Sequence, residues 1–382
     1  MIVLATGAGD GFWGERNLPS VFKHTLLDKY VPQFAGMTGS RSTERRVVFL
    51  DGYAGRGRYD DGTQGSAERI MTIAQRQFAA VKLAWTCYFV EQDDESAAAL
   101  DAVVVEYVAN GVDARAHHGD VEDILDEVLT AAGGLPLFLF LDPTGLGLPY
   151  DVLVRLLTEK RRQVWPPTEV LLNFSLEAVR RIGGHVRSPH GTERSMHRLD
   201  RAVNGDWWRD LLKSGVTDKA VEQVVAQFTA DLSRDTNMYI VSVPVSHRPH
   251  QKPLYHLVFG TRSQHGLWAF GDSVARATQA WWDTLEAQEE PDALFNLAQM
   301  IRPTLDKVEA EAITVIAENL VAILSDTPMF KAVDETLRVF GDYYGKVREP
   351  AVRRAVKRLH ATGGTACTGV GGKPRDLMIC QP

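Results

Sequence analysis

The sequence predicts a doubly wound α/β sheet followed by a smaller helical domain, and three observations carry that expectation. Apolar runs of strand length end in an acid at residues 47–51, 84–91 and 137–142, as strands buried on both faces of a parallel sheet do. Stretches of helical spacing lie between them. Two late strands, 238–243 and 255–261, are joined by a connection too short for a crossover helix, so they should form an antiparallel hairpin at the sheet edge. Together these describe a Rossmann-like sheet.

Bulk properties agree with a globular protein. A length of 382 residues allows two to three domains, at roughly 150 residues each. The 45% hydrophobic and 24% charged fractions are ordinary. A net charge of -7 argues against a generally basic nucleic-acid coat, though not against a local basic face. Cys87, Cys367 and Cys380 are too widely spaced for a disulfide framework or a Cys-based zinc site, and no metal site is expected. The first residues lack the basic start and apolar core of a signal peptide. No run approaches the roughly 20 apolar residues of a membrane span. A cytoplasmic setting without membrane contact follows.

In chain order, residues 1–46 form a helical lead-in. Phe22, Leu26, Leu27 and Tyr30 recur at helical spacing. Lys23 and His24 share that helix, and Lys23 either faces solvent or reaches over the next loop to a carboxylate or phosphate.

Residues 47–290 form the sheet domain. Its first strand runs into Asp51-Gly52-Tyr53-Ala54-Gly55-Arg56-Gly57. Glycines there let the backbone approach a ligand closely and take positive φ, and Asp51 can accept a hydrogen bond from a ligand amine or hydroxyl. A second polar loop follows, with Arg58, Tyr59 and Ser66 as substrate-side candidates. Gly65-Ser66-Ala67 opens the next helix and can offer N–H groups to an anion. Glu91 ends the second strand, where an acid binds ribose hydroxyls in such folds. It arrives later than the roughly 20-residue spacing of a dinucleotide site, which disfavours an NAD enzyme. A short strand at 114–121 carries Asp120 and Val121, placed to flank a base. Its His117-His118 point to opposite faces and make a poor metal pair.

Residues 137–141 are apolar throughout, predict the central strand, and deliver Asp142-Pro143 at its carboxyl end. The run Val170-Leu171-Leu172-Asn173-Phe174 is a further strand, with Asn173 either capping a helix or facing the cleft. Residues 178–201 then form a basic insertion, with six Arg against two acids. It is either a solvated face or a phosphate contact, with Arg180 and Arg181 as candidates. Pro291 marks the expected boundary of a third part, 291–382. There two helices at 329–343 and 349–361 and a glycine-tipped hairpin within 363–379 make a winged-helix-like pattern. Residues 331–382 are net +5, and Arg353 and Arg354 lie on the helix that would enter a DNA groove.

The Asp51–Gly57 loop resembles the first motif of S-adenosylmethionine-dependent methyltransferases. Asp142-Pro143 resembles the fourth motif of amino-methyltransferases, where the carboxylate and the following carbonyl hold a target nitrogen. With Gly65-Ser66, Glu91 and Gly119-Asp120 in order, residues 13–290 resemble the three-Cys-motif partner proteins, a bacterial family. The runs DGYAGRGRY, GSA and FLDPTGLGLP carry the match. The resemblance implies a methyltransferase-type sheet, S-adenosylmethionine as cofactor, and a three-Cys, radical-SAM-like protein as partner. It implies that Asp51, Gly52, Tyr53, Ala54, Gly55 and Gly57 hold the methionine part, Glu91 the ribose, and Asp120 and Val121 the adenine. Asp142 and Pro143 would then face the acceptor, a nitrogen or oxygen of a nucleic acid, nucleoside or partner-linked substrate. Two other classes fit the residues. One is a silent scaffold that keeps the fold to bind nucleic acid or a partner. The other is a different nucleotide-using or alkyl-transferring enzyme.

Overall fold

The computed structural model describes residues 18–188, 192–288 and 301–382. Pro291 and His190 lie outside them. The chain divides into two units, one built from residues up to Ser20 with Phe34–Arg262, the other from Val21–Gln33 with Ser263–Pro382.

The first unit is a seven-stranded sheet. Strands β1 (Arg46–Asp51), β2 (Ala84–Glu91), β3 (Asp113–His118), β4 (Leu137–Leu141) and β5 (Thr168–Ser175) run parallel. β6 (Tyr239–Val245) and β7 (Tyr255–Thr261) form the expected hairpin, with β7 antiparallel to β5. The order is β3-β2-β1-β4-β5-β7-β6. Strand order therefore reverses between β1 and β4, which opens a crevice at their carboxyl ends.

The core explains why β1 and β4 are central. Every residue of β4 is buried, and alternate side chains serve opposite faces. On one face Phe49 stacks on Phe138 with centroids 5.7 Å apart, and Phe34 meets Phe138 edge-on at 5.4 Å. On the other, Leu50, Leu139 and Val170 join a cluster with Val224 and Phe228.

Helices α2 (Ser66–Val81) and α3 (Asp94–Ala109) follow the sequence pattern closely. At 114–121 the chain departs from it. The strand stops at His118, and Asp120 instead caps α4 (Val121–Ala131) in a reciprocal capping box with Asp123. A short helix, α5 (Tyr150–Arg155), follows β4, and α6 (Leu176–Gly183) and α7 (Glu193–Val203) follow β5. Two helices precede β6, α8 (Trp207–Leu212) and α9 (Asp218–Thr236). Gly215 at φ 136° separates them, and Thr217 accepts from Ala220 N–H at 3.2 Å to start the second.

The longer segment of the second unit begins at Ser263, ahead of the expected Pro291 boundary. The cause is α10 (Gln264–Gln288), whose Trp268 packs with Ile316, Leu320 and Phe340 in the second unit's core. Tyr30 of α1 (Leu18–Thr38) meets Phe270 edge-on at 5.4 Å in the same unit. Beyond α11 (Leu305–Asp326) come β8 (Met329–Lys331), α12 (Thr336–Phe340), α13 (Pro350–Ala361) and β9 (Met378–Cys380). The hairpin expected within 363–379 does not form. β9 pairs instead with β8, ahead of the two helices. Residues 369–372 are held as a loop by Arg353, whose guanidinium donates to Gly369 O, Gly371 O at 3.0 Å and Gly372 O at 2.6 Å. Among the described residues no helix is long and apolar enough to cross a membrane.

Candidate cofactor and acceptor site

The carboxyl ends of β1, β2 and β4 bring together most of the residues singled out in the sequence. The β1 loop is shaped by its own acid. Asp51 is fully buried, and its carboxylate accepts from Tyr53 N–H at 3.1 Å and Ser66 Oγ at 2.6 Å. Asp51 therefore braces the loop against the start of α2, and Ser66 serves Asp51. Gly55 and Gly57 take φ 61° and 75°, which favours glycine at both. Gly52 has no room for a side chain, since a Cβ there would lie 2.9 Å from Leu141 Cδ2 and 3.0 Å from Val121 Cγ2. Val121 is thus part of the packing under the loop. Ala54 is buried, and its N–H donates to Val90 O at 2.8 Å.

Glu91 holds the loop from the β2 side. Its carboxylate accepts from Gly55 N–H at 2.8 Å and from Gln92 and Asp93 N–H, each at 2.9 Å. A carboxylate offers about four acceptor positions, so these three donors leave one for a ligand. Asp120 is exposed at the start of α4 and accepts from Gln92 Nε2 at 3.1 Å.

The extended loop after Gly57 is closed internally. Gly65 N–H donates to Gly57 O at 2.9 Å. Arg58 forms a paired contact with buried Glu68 at 2.9 and 2.5 Å and reaches Glu106 at 3.1 Å. The ion pairs push its guanidinium pKa up. Arg56 pairs with Asp60 at 3.3 Å and Glu95 at 3.1 Å. Arg58 was expected on the substrate side, and the structure gives it a loop-ordering contact with Glu68 instead. Tyr59 turns the loop by exchanging backbone hydrogen bonds with Thr63 and Gly62.

The other side of the crevice is built on β4 and β5. Asn173 Nδ2 donates to Asp142 Oδ1 at 2.9 Å across the two strand ends. That contact fixes the amide orientation, because the carboxylate needs a donor facing it. Asn173 Oδ1 is then buried with no hydrogen-bond partner among the described residues, a costly state for a polar atom. Asn173 lines a cavity of about 40 Å³ together with Pro143, Leu146, Tyr150, Phe174 and Phe228. This exceeds the ~10–15 Å³ that admits one water. Ser175, next along β5, caps α6 by accepting from Ala178 N–H at 3.1 Å.

Tyr53 joins the two sides. Burial raises its phenol pKa most, the nearby carboxylates Asp120 and Glu122 raise it further, and a hydrogen bond from the Leu148 backbone lowers it. The phenol stays neutral at physiological pH.

The remaining candidates lie elsewhere. Arg180 on α6 donates to Pro253 O at 2.8 Å and approaches Asp218 at 3.5 Å, while Arg181 is exposed. Lys23, Arg353 and Arg354 belong to the second unit. Arg354 pairs with Glu309 at 2.6 Å. Asn173 was legible as the polar residue interrupting an apolar strand, but its pairing with Asp142 depends on strand order.

No family model matches the sequence, and no curated protein does. Among solved structures, a small RNA methyltransferase aligns at 11% identity with a TM-score of 0.33, over 61% of this chain and 26% of that one. A protein of Legionella pneumophila str. Philadelphia 1 aligns at 11% identity and TM-score 0.33, over 64% of this chain and 85% of that one. The chain spans about a quarter of the first relative's length. The strand order with its antiparallel β7 makes the fold Rossmann-like, consistent with the methyltransferase type of sheet.

Proposed function

We propose that this protein transfers a methyl group from S-adenosylmethionine to a nitrogen or oxygen held at Asp142 and Asn173. The observation that carries the reading is the Asp142–Asn173 hydrogen bond at the ends of β4 and β5, with Asn173 and Pro143 lining a cavity beside it, across the strand-order reversal from the Gly52–Gly57 loop. The residues fit the cofactor. Gly55 leaves its part of the loop backbone open, since a Cβ there would meet nothing within 4 Å, Glu91 retains an acceptor position for a ribose hydroxyl, and Asp120 stands exposed beside it.

The cofactor supplies an electrophilic methyl on a sulfonium, so positioning provides most of the rate. The chain then has three tasks. Glu91 and the loop backbone fix the donor. Asn173 Oδ1 accepts an N–H or O–H of the acceptor and turns its lone pair toward the donor. Asp142 accepts the proton the acceptor loses, which is general-base chemistry of the ordinary kind. The acceptor class is a nucleic acid, nucleoside or partner-linked group. A three-Cys-motif partner is supported by the motif resemblance alone, and co-purification with such a protein tests it.

Titration calorimetry with S-adenosylmethionine tests the cofactor. Binding is expected in the native chain and lost in Asp51→Ala/Glu91→Ala. An absence of binding, or affinity unchanged in the double variant, rejects the assignment.

A further inference from the structure

We propose that one face of α7 binds the phosphate backbone of a single-stranded polynucleotide whose base edge enters the Asn173 cavity. The proposal rests on the methyl-transfer reading for what enters the cavity, and on α7 alone for what binds the strand.

α7 is amphipathic in an unusual way. Met196, Leu199 and Val203 are buried in the first unit's core, while Arg194, His197, Arg198 and Arg201 are exposed. Positions four apart stack on one side of a helix. Arg194 and Arg198 therefore form a row whose next member is Ala202, and Ala202 lines the cavity that holds Asn173. The cationic row leads to the cavity wall. At 1.5 Å per residue, Arg194 to Arg201 covers about 10 Å, the reach of two to three phosphates.

The acids of this helix leave the three arginines of that face without a carboxylate partner. Glu193 approaches Arg209 at 3.5 Å, and Asp200 accepts from Trp208 Nε1 at 2.8 Å and pairs with Arg209 and His197. Among the described residues no carboxylate pairs with Arg194, Arg198 or Arg201. The other basic stretch is spent differently. On α13, Arg353 holds the 369–372 loop, Arg354 pairs with Glu309, and Arg358 donates to Thr314 at 2.7 Å.

A duplex is the wrong partner for this geometry, because a paired base cannot bring its edge into a cavity without leaving the stack. An unpaired base meets Asn173 Oδ1 with an exocyclic amine, and its flanking phosphates meet the arginines. Such contacts are salt-sensitive, with each phosphate contact contributing about 0.7 to the salt slope on a single strand.

Fluorescence anisotropy tests this with labelled RNA and DNA strands of about 12 nucleotides, at salt from roughly 50 to 200 mM. R194E/R198E/R201E is expected to weaken binding at least tenfold and to flatten the salt slope by about 2. R354E/K357E/R358E on α13, with the same charge change, should retain binding. The strand type that binds more tightly names the source. Absence of binding to either strand overturns the proposal, as does equal loss in the two triple variants or no loss in the first. The neutral triple Gln variant reads the same effect at smaller size if charge reversal prevents folding. Calorimetry with S-adenosylmethionine on the same α7 variant should give native affinity. Failure of cofactor binding in the native chain would reject the methyl-transfer reading without deciding the α7 result.

Discussion

The two sides of the crevice are finished to different degrees. On the β1–β2 side, Asp51 and Glu91 are met by Tyr53, Ser66, Gly55, Gln92 and Asp93. Those bonds set the loop before any ligand arrives. On the β4–β5 side, Asp142 meets Asn173, but Asn173 Oδ1 is left buried without a partner among the described residues. Pre-organisation lowers the cost of binding a common ligand, whereas an unpartnered buried atom selects for the ligand that satisfies it. Under the proposed function, one side holds the donor and the other discriminates among acceptors.

The largest effect that would break this division is at Asp142. Asp142→Asn should lower the methyl-transfer rate by about 10²–10⁴-fold, with cofactor affinity by calorimetry near native. A comparable loss of cofactor affinity would place Asp142 on the wrong side of the comparison. Glu91→Ala should do the reverse, weakening S-adenosylmethionine by roughly tenfold or more, as loss of charged hydrogen bonds worth about 1.5–3 kcal/mol each would. Native affinity in that variant would remove Glu91 from the cofactor side. Gly52→Ala forces a Cβ against Leu141 and Val121. It should cost about 1–3 kcal/mol in urea unfolding; a neutral result means the two side chains yield.

The smallest effect concerns β7, which pairs with β5 beside Asn173. Burial lowers the pKa of His256, with Glu222 opposing. The folded state thus favours the neutral ring, and the unfolded chain protonates first. Stability should hold above about pH 6.5 and fall as pH drops below it. The melting temperature of His256→Gln should fall less than that of the native chain over the same range. Equal slopes would show that His256 is not the titrating group.

Much of the site was legible before the fold. Asp51, Glu91 and Asp142 each end an apolar strand, and a parallel sheet places such ends along one edge whatever the strand order. Pairing across that edge was not legible. Asn173 meets Asp142 because β4 and β5 are neighbours, a tertiary fact that no local pattern encodes. Asp51 was read as a ligand contact, and the structure adds that it braces the loop by accepting from residues 53 and 66. The start of α4 was hidden because the Asp120 cap follows the strand by one glycine. The boundary at Ser263 was hidden because α10 continues directly from β7, and only its packing around Trp268 assigns it to the second unit.

Single-turnover transfer of an isotopic methyl from S-adenosylmethionine to RNA, DNA or nucleosides, read by mass spectrometry, tests the central claim most directly. The native chain should place the label on an acceptor nitrogen or oxygen, and Asp142→Asn should bind cofactor yet transfer at most about one-hundredth as fast. No label on any acceptor, or equal transfer by the two proteins, would contradict it.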